Sequence, residues 1–210
     1  ITLDQGAELI LEYPEPTAVQ DQNLNFVDTK LYDEYGRVVS NSRSYFDDRG
    51  LALQTQSKNL QAGVVLAKAV LYDAYGRAAI ATLPAPVETA TDNNNVDECG
   101  ETVNYNDRID FKYKSDFVKA SESQVYKSSN FDLVSQTVSK EETPDPVYTG
   151  AEKTLGWYYS TNNGTSSNPR LNEPLVAATQ YPYSRTLFHR DGSGAVKGAT
   201  KPGDIFKAGS

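Results

Sequence analysis

The chain has 210 residues, a formal net charge of −8 and only 38% hydrophobic residues. This acidic balance argues against a nucleic acid or an anionic membrane surface as partner, because both are bound through an excess of Lys and Arg. No apolar run is long enough to cross a bilayer. The single cysteine, Cys99, excludes an internal disulfide and a cysteine-based zinc site.

In chain order, residues 1–25 predict one strand and an irregular entry, and residues 26–84 carry the clearest β pattern. Val27, Thr29 and Leu31 alternate with polar residues, and similar short runs recur as far as residue 83. This period of two, interrupted by turn residues, is typical of hairpins. Pro84 and Pro86 end the block, because proline does not fit a central strand.

One hexapeptide occurs twice, as Tyr32-Asp33-Glu34-Tyr35-Gly36-Arg37 and as Tyr72-Asp73-Ala74-Tyr75-Gly76-Arg77. A looser copy is Phe46-Asp47-Asp48-Arg49-Gly50, and a degenerate one is Phe188-His189-Arg190-Asp191-Gly192. Asp can accept a hydrogen bond from the backbone two residues on. Gly three residues later tolerates the left-handed conformation of a type I turn with a bulge.

The hexapeptide therefore predicts hairpin turns. The residues to which we assign this structural role are Tyr32, Asp33, Gly36, Arg37, Asp47, Gly50, Tyr72, Asp73, Gly76 and Arg77. We expect each arginine after the glycine to act across its hairpin, pairing with a neighbouring carboxylate such as Asp33 or Asp73. An ion pair of that kind contributes little when it lies at the surface.

The remaining chain divides into an insert and a second β-rich part. Residues 87–153 are acidic, Asn-rich and Ser-rich, with helical spacing at 113–120 that predicts a short helix. Residues 154–160 predict a strand, and 174–206 alternate strand-like pieces with Pro and Gly. We thus expect a hairpin module at 1–86, an irregular insert at 87–153 and a second β-rich segment at 154–210. The predicted fold is mainly β, with antiparallel hairpins in one or two curved sheets or sandwich-like modules and little helix.

No catalytic residue is predicted. His189 is the only histidine, and it stands where the repeat pattern expects Asp in a turn. No nucleophile motif accompanies it. A turn role is favoured over catalysis, and we expect a protein that is not an enzyme.

The acidic loop offers oxygen ligands for Ca²⁺ at Asp92, Asn94, Asp97 and Glu98. The EF-hand pattern fails, because Val96 stands where an Asp or Asn ligand belongs. A solvated loop is favoured over a Ca²⁺ site, and no other cofactor is predicted.

The aromatic run Trp157-Tyr158-Tyr159, together with the turn tyrosines, would form a carbohydrate-binding platform if the rings were exposed on one face. Aromatic residues of hairpins more often pack as cross-strand pairs in the core. Core packing is therefore the favoured interpretation.

On these residues the chain resembles the Rhs/YD-repeat family, whose members are distant relatives of the teneurin and toxin-complex β-shells. Three matches carry the resemblance: the two hexapeptides, residues 79–86, and residues 181–185 leading into 188–203. The last two resemble the region that precedes the repeat array in Rhs-like proteins of Bacteroidetes-type bacteria. The resemblance covers mainly residues 26–86 and 154–206. It implies strands that wrap into a hollow β-shell, which in some relatives encloses a toxin and in others supports adhesion.

The resemblance implies a non-enzymatic structural and interaction segment of a large secreted or cell-surface bacterial protein, which scaffolds or seals a β-shell. The chain lacks Met and begins at Ile1, so we expect a piece of a larger protein. Its expected partners are the remainder of that protein, or another protein bound by strand addition. The alternative is a surface carbohydrate-binding or adhesion β-module.

Overall fold

The computed structural model describes residues 7–8, 24–89, 109–127, 130, 146–189, 191 and 193–203, with only the backbone at 7 and 8. Within these residues the fold is mainly antiparallel β with very little helix, which confirms the predicted class. The strands are β1 (Ala7–Glu8), β2 (Asn25–Tyr32), β3 (Val38–Phe46), β4 (Ala52–Asn59), β5 (Val64–Tyr72), β6 (Ala78–Thr82), β7 (Ala85–Thr89), β8 (Tyr183–Phe188) and β9 (Val196–Ala199). One helix, α1 (Leu155–Tyr158), and one 3₁₀ turn (Asn163–Thr165) accompany them.

The chain forms two compact units, each assembled from two stretches of sequence. The first unit contains residues 1–67 and 87–113, and the second contains 68–86 and 114–210. The strand order is β1-β2-β3-β4-β5 in the first unit and β5-β6-β8-β9 in the second, because β5 has residues in both. Strand β7 pairs with β5. Residues 1–86 therefore contribute strands to both units.

In the first unit, one face of the sheet carries buried polar side chains. Asp28 lies opposite Arg43, and Arg43 lies opposite Gln56, so the three form a row across β2, β3 and β4. Arg43 Nε and Nη2 donate to the two carboxylate oxygens of Asp28 at 2.6 and 2.7 Å. The guanidinium also lies 3.8 Å from the ring centroid of Phe26 and 5.4 Å from that of Phe111. Burial lowers the pKa of Arg43, but the Asp28 carboxylate outweighs this and the net shift is upward.

The second unit has an apolar core beside β6 and β8. Ile80 of β6, Phe117 and Leu155 of α1 are almost fully buried. Strand β8 pairs with β6, with Ile80 opposite Arg185, and it also forms a hairpin with β9.

The prediction of a strand at 154–160 is wrong, because these residues contain α1. Leu155, Trp157 and Tyr158 are all buried, so the run has no exposed face of the kind that a half-buried strand shows. At Gly156 a Cβ atom would overlap the carbonyl oxygen of Tyr148. The glycine therefore lets the helix approach the backbone of a neighbouring segment closely.

The helix predicted from the spacing at 113–120 is also absent; residues 109–127 form turns, bends and an isolated bridge between Lys119 and Val125. Several carbonyl groups here accept from N–H groups well beyond the next helical turn. Phe117 O accepts from Leu155 N at 3.0 Å, and Val118 O accepts from Tyr126 N at 2.9 Å. Phe117 and Val118 are both buried.

The two hexapeptides form the predicted hairpin turns. In the first, Gly36 N donates to Asp33 O at 3.0 Å and Asp33 N donates to Arg37 O at 2.9 Å. Gly36 adopts φ +75°, and the β2–β3 register shifts by one residue between Leu31 and Tyr32. This is a type I turn followed by a glycine bulge. The second hexapeptide repeats it with Gly76 at φ +75°, and the looser copy does so with Gly50 at φ +80°.

The degenerate copy also connects a hairpin, β8–β9, but by a longer loop. His189 N donates to Ala195 O at 2.9 Å, so the closing residues are two positions further apart than Asp33 and Arg37. The left-handed glycine is Gly194, at φ +76°, three residues after Asp191. Gly192, which was expected in that position, lies outside the described residues.

We expect Gly36→Ala to lower the free energy of unfolding by roughly 1–2 kcal/mol, which is the cost of a left-handed conformation for an L-residue. An added Cβ at Gly36 would meet no atom within 4 Å, so backbone strain is the whole effect. Denaturant unfolding measures the change.

The matched control is Gly198→Ala in β9, where the Cβ would lie 3.8 Å from Leu187 Cδ1, an ordinary contact. It should change stability by less than about 0.5 kcal/mol. Equal losses in both variants would contradict the turn assignment.

Candidate functional site: the aspartate–arginine turns

Each hexapeptide aspartate binds its own turn through both carboxylate oxygens. Asp33 Oδ1 accepts from the backbone N–H groups of Tyr35 at 2.9 Å and Arg37 at 2.8 Å. Its Oδ2 accepts from Arg37 Nε at 2.7 Å. Asp73 makes the same three contacts at 3.0, 2.9 and 2.7 Å, with Tyr75 and Arg77. The predicted pairing of each arginine with its turn carboxylate is therefore confirmed.

The middle turn reaches the same arrangement with its arginine at another position. Asp47 Oδ1 accepts from Arg49 N at 3.0 Å and from Leu51 N at 2.7 Å. Leu51 occupies the position of the hexapeptide arginine, and Arg49 supplies the guanidinium instead, at 2.9 and 3.0 Å from Oδ2. We had not assigned Arg49 a role from the sequence. Its proximity to an Asp-x-x-Gly turn is the signal that could have indicated one.

Hydrogen bonds stabilise the ionised forms of Asp33, Asp47 and Asp191. The backbone N–H of Arg37 is the main cause that holds the pKa of Asp33 below its ordinary value, with the Arg37 side chain adding to it. Burial raises the pKa of Asp47, but the N–H of Leu51 and the Arg49 side chain outweigh it, and the pKa is lowered. The backbone N–H of Ser193 likewise lowers the pKa of Asp191.

The two hexapeptide turns differ in what covers the arginine. The Arg77 side chain is only 16% exposed. Its guanidinium lies 4.4 Å from the ring centroid of Phe188, and Nη1 lies 3.4 Å from His189 O. The Arg37 side chain is 73% exposed. Its one aromatic neighbour in the described part of the chain is Tyr35, at 5.2 Å from the ring centroid.

The first turn therefore presents an exposed mixed surface. Tyr35 is 74% exposed, and two apolar residues near the same end of the hairpin, Leu31 and Val39, are exposed as well. In the second hairpin, Ala79 occupies the position of Val39 and is buried. In the second hairpin the Asp73–Arg77 pair is thus largely covered while Tyr75 stays exposed, whereas in the first hairpin both Arg37 and Tyr35 are exposed.

The aromatic run does not form an exposed platform. Trp157 and Tyr158 are buried, which overturns the platform interpretation for these two residues. The Tyr158 hydroxyl donates to Glu173 Oε2 at 2.9 Å. Tyr159 is half-buried and donates to Pro84 O at 2.9 Å, and burial raises its pKa to about 12. These rings serve the core, as favoured from the sequence, because packing and hydrogen bonding use both their faces and their hydroxyls.

The remaining candidates make no assembled site among the described residues. The hydrogen bonds of His189 there involve its backbone groups. The proposed Ca²⁺ ligands Asp92, Asn94, Asp97 and Glu98 lie outside the described residues. Within the described part, no group of three or more potential metal ligands occurs. No helix described for this chain has the length and hydrophobicity to span a bilayer.

Comparison with known proteins gives no match to a family model and no match among curated proteins.

We expect Arg77→Ala to lower the free energy of unfolding by about 2 kcal/mol, because it removes a charged hydrogen bond and a cation–π contact in a largely buried place. The Asp73 carboxylate would lose its guanidinium partner. Thermal or denaturant unfolding measures the loss.

Arg37→Ala is the matched variant at the same position of the first hexapeptide. It should lower the free energy of unfolding by only a small fraction of the loss in Arg77→Ala, since exposed ion pairs contribute little. A larger loss at Arg37 than at Arg77 would show that burial does not decide the strength of this contact.

We expect Asp33→Asn to flatten the pH dependence of stability. The pKa of Asp33 is lower in the folded state than its unfolded value of about 3.9. Its contribution is therefore fully present above that pH and is lost as the pH falls through the folded pKa. The stability difference between wild type and variant should shrink from pH 7 towards pH 2, as followed by unfolding at each pH.

Asp48→Asn controls for net charge, because it removes an exposed carboxylate that has no hydrogen bond among the described residues. A difference between wild type and Asp33→Asn that stays constant down to pH 2 would contradict the assigned role.

Proposed function

We propose that this chain is a non-enzymatic structural and interaction segment of a large secreted or cell-surface Rhs/YD-repeat protein. In this role it scaffolds or seals a β-shell that carries an effector. The observation that carries the proposal is the repeated turn: three hairpins are closed by an aspartate that binds two backbone N–H groups and one arginine. Recurrence of one local structure is the signature of a repeat architecture.

A second observation supports an interaction role. Strand β9 ends the strand order of the second unit, and among the described residues it pairs with β8 alone. An edge strand offers unpaired N–H and C=O groups to a further strand. Val196 in β9 is 56% exposed, so an added strand would also gain apolar contact.

The covered second turn indicates how the exposed first turn would be used. Within the second unit, a strand that ends in an aromatic residue, Phe188, lies against Arg77 and presents a backbone carbonyl to it. Arg37 has the same chemistry and is exposed. We therefore propose that another part of the parent protein supplies an aromatic side chain and an acceptor to Arg37.

Hydrogen–deuterium exchange tests the proposal. We would compare residues 24–203 in the 210-residue chain and in the full-length product of its gene. Amides of β9 and of residues 33–37 should exchange at least about tenfold more slowly in the full-length protein. Amides of β6 serve as the internal control, because this strand is flanked by β5 and β8 in the chain itself.

Equal exchange of β9 and of the first turn in both proteins would contradict the scaffold role. So would a gene that encodes these 210 residues alone, or one whose remaining sequence contains no further Tyr-Asp-x-x-Gly-Arg copies.

A further inference from the structure

A groove opens on the surface of the second unit, next to the C-terminal end of α1. Its volume is about 410 Å³, and it is lined by Thr149, residues 159–162 and residues 178–180. Small-molecule sites typically measure ~300–1,000 Å³. None of these residues belongs to the repeat turns, and none lies in a strand.

Hydrogen bonds between three segments hold the groove in shape. Asn162 Nδ2 donates to Thr149 O at 3.0 Å, and Thr179 N donates to Tyr159 O at 2.8 Å. Gln180 O accepts from Val147 N at 2.9 Å. The walls are therefore formed without a ligand, which reduces the ordering cost that binding would otherwise carry.

The lining is polar and uncharged. Tyr159 is its one ionisable residue, and burial raises the pKa of that hydroxyl to about 12, so it stays neutral at physiological pH. The walls thus supply no charge to balance a phosphate, a carboxylate, an ammonium group or a metal ion.

Several polar groups in the walls remain available. The side chains of Thr149, Thr161 and Gln180 have no hydrogen-bond partner among the described residues. Each threonine hydroxyl can both donate and accept, and an amide side chain offers two donors and one acceptor group. A ligand with many hydroxyl groups matches this set. A peptide fits less well, since the groove has no strand edge for main-chain pairing and Ala178 is its one aliphatic side chain.

We propose that this groove binds a neutral carbohydrate, with the side chains of Thr149, Thr161 and Gln180 bonding to sugar hydroxyls. The inference goes beyond the scaffold role and does not depend on it. It also does not use the aromatic platform, because Trp157 and Tyr158 do not line the groove.

The test is a titration of the ¹⁵N-labelled chain, followed by amide chemical shifts, with four neutral trisaccharides built from glucose, mannose, galactose and N-acetylglucosamine. At least one should give saturable shifts at Thr149, Thr161 and Gln180, with a Kd on the order of 1 mM for so open a site. The charged trisaccharide sialyllactose should bind this site more weakly than the neutral trisaccharides that shift these residues.

Thr161→Val and Gln180→Leu each remove polar groups from exposed side chains that make no hydrogen bond within the described fold. Each should weaken binding at least about fivefold while the unfolding temperature stays unchanged. Ser167→Ala, an exposed hydroxyl outside the groove, should leave the affinity unchanged.

Absence of saturable shifts with all four sugars, or shifts confined to other residues, would overturn the proposal. Stronger binding of sialyllactose at the groove would overturn it too, because it would show a charged ligand. None of these results bears on the exchange experiment, so failure here is distinguishable from failure of the scaffold role.

Discussion

Three hairpins of this protein, β2–β3, β3–β4 and β5–β6, depend on one carboxylate in each turn. An aspartate at the first turn position uses Oδ1 to accept two backbone N–H groups that the type I turn and its bulge leave unpaired within the ladder. Its Oδ2 then holds an arginine beside the turn. The aspartate fixes the loop, the left-handed glycine permits the bulge, and the loop fixes the strand register. The middle turn supports the conclusion that the aspartate, and not the arginine, fixes the loop. There the arginine has moved by two positions, yet the two backbone contacts of Asp47 are retained.

The two hexapeptides share Tyr, Asp, Tyr, Gly and Arg, and they differ in how far the aspartate–arginine pair is buried. Arg77 lies against Phe188 of β8, and the ion pair of Asp73 and Arg77 has side chains only 4% and 16% exposed. The attraction between the two charges is stronger where water is excluded, whereas water screens the corresponding pair at Asp33 and Arg37. One motif can therefore serve as a core contact in one place and as a surface available to a partner in another. This is what a repeat needs, since its inner copies cover one another and its outer copies do not.

The turns could be predicted because their determinants are local: Asp and Gly at a spacing of three, flanked by strand-forming residues. The class of fold followed from the same pattern. The helix α1 could not be predicted, because Gly156 permits it by its approach to Tyr148, a contact that no local pattern encodes. The helix predicted at 113–120 is absent for a related reason, because carbonyl groups of this segment bond to N–H groups that are distant in sequence. The groove is lined by three segments that are separated in sequence, so it could not be predicted without the fold that brings them together.

The polar row of the first unit favours one alignment of its strands. Asp28 and Gln56 are buried and the Arg43 side chain between them is 19% exposed, so this row carries a desolvation cost that apolar residues would not have. Buried ion pairs add little net stability compared with apolar replacements. A shift in strand register, however, leaves a charge unpaired in the interior, which typically costs about 3–5 kcal/mol. Such a row therefore penalises misaligned strands more than it stabilises aligned ones. In a sheet built from hairpins with the same turn, where neighbouring registers are otherwise similar in energy, that penalty selects one alignment.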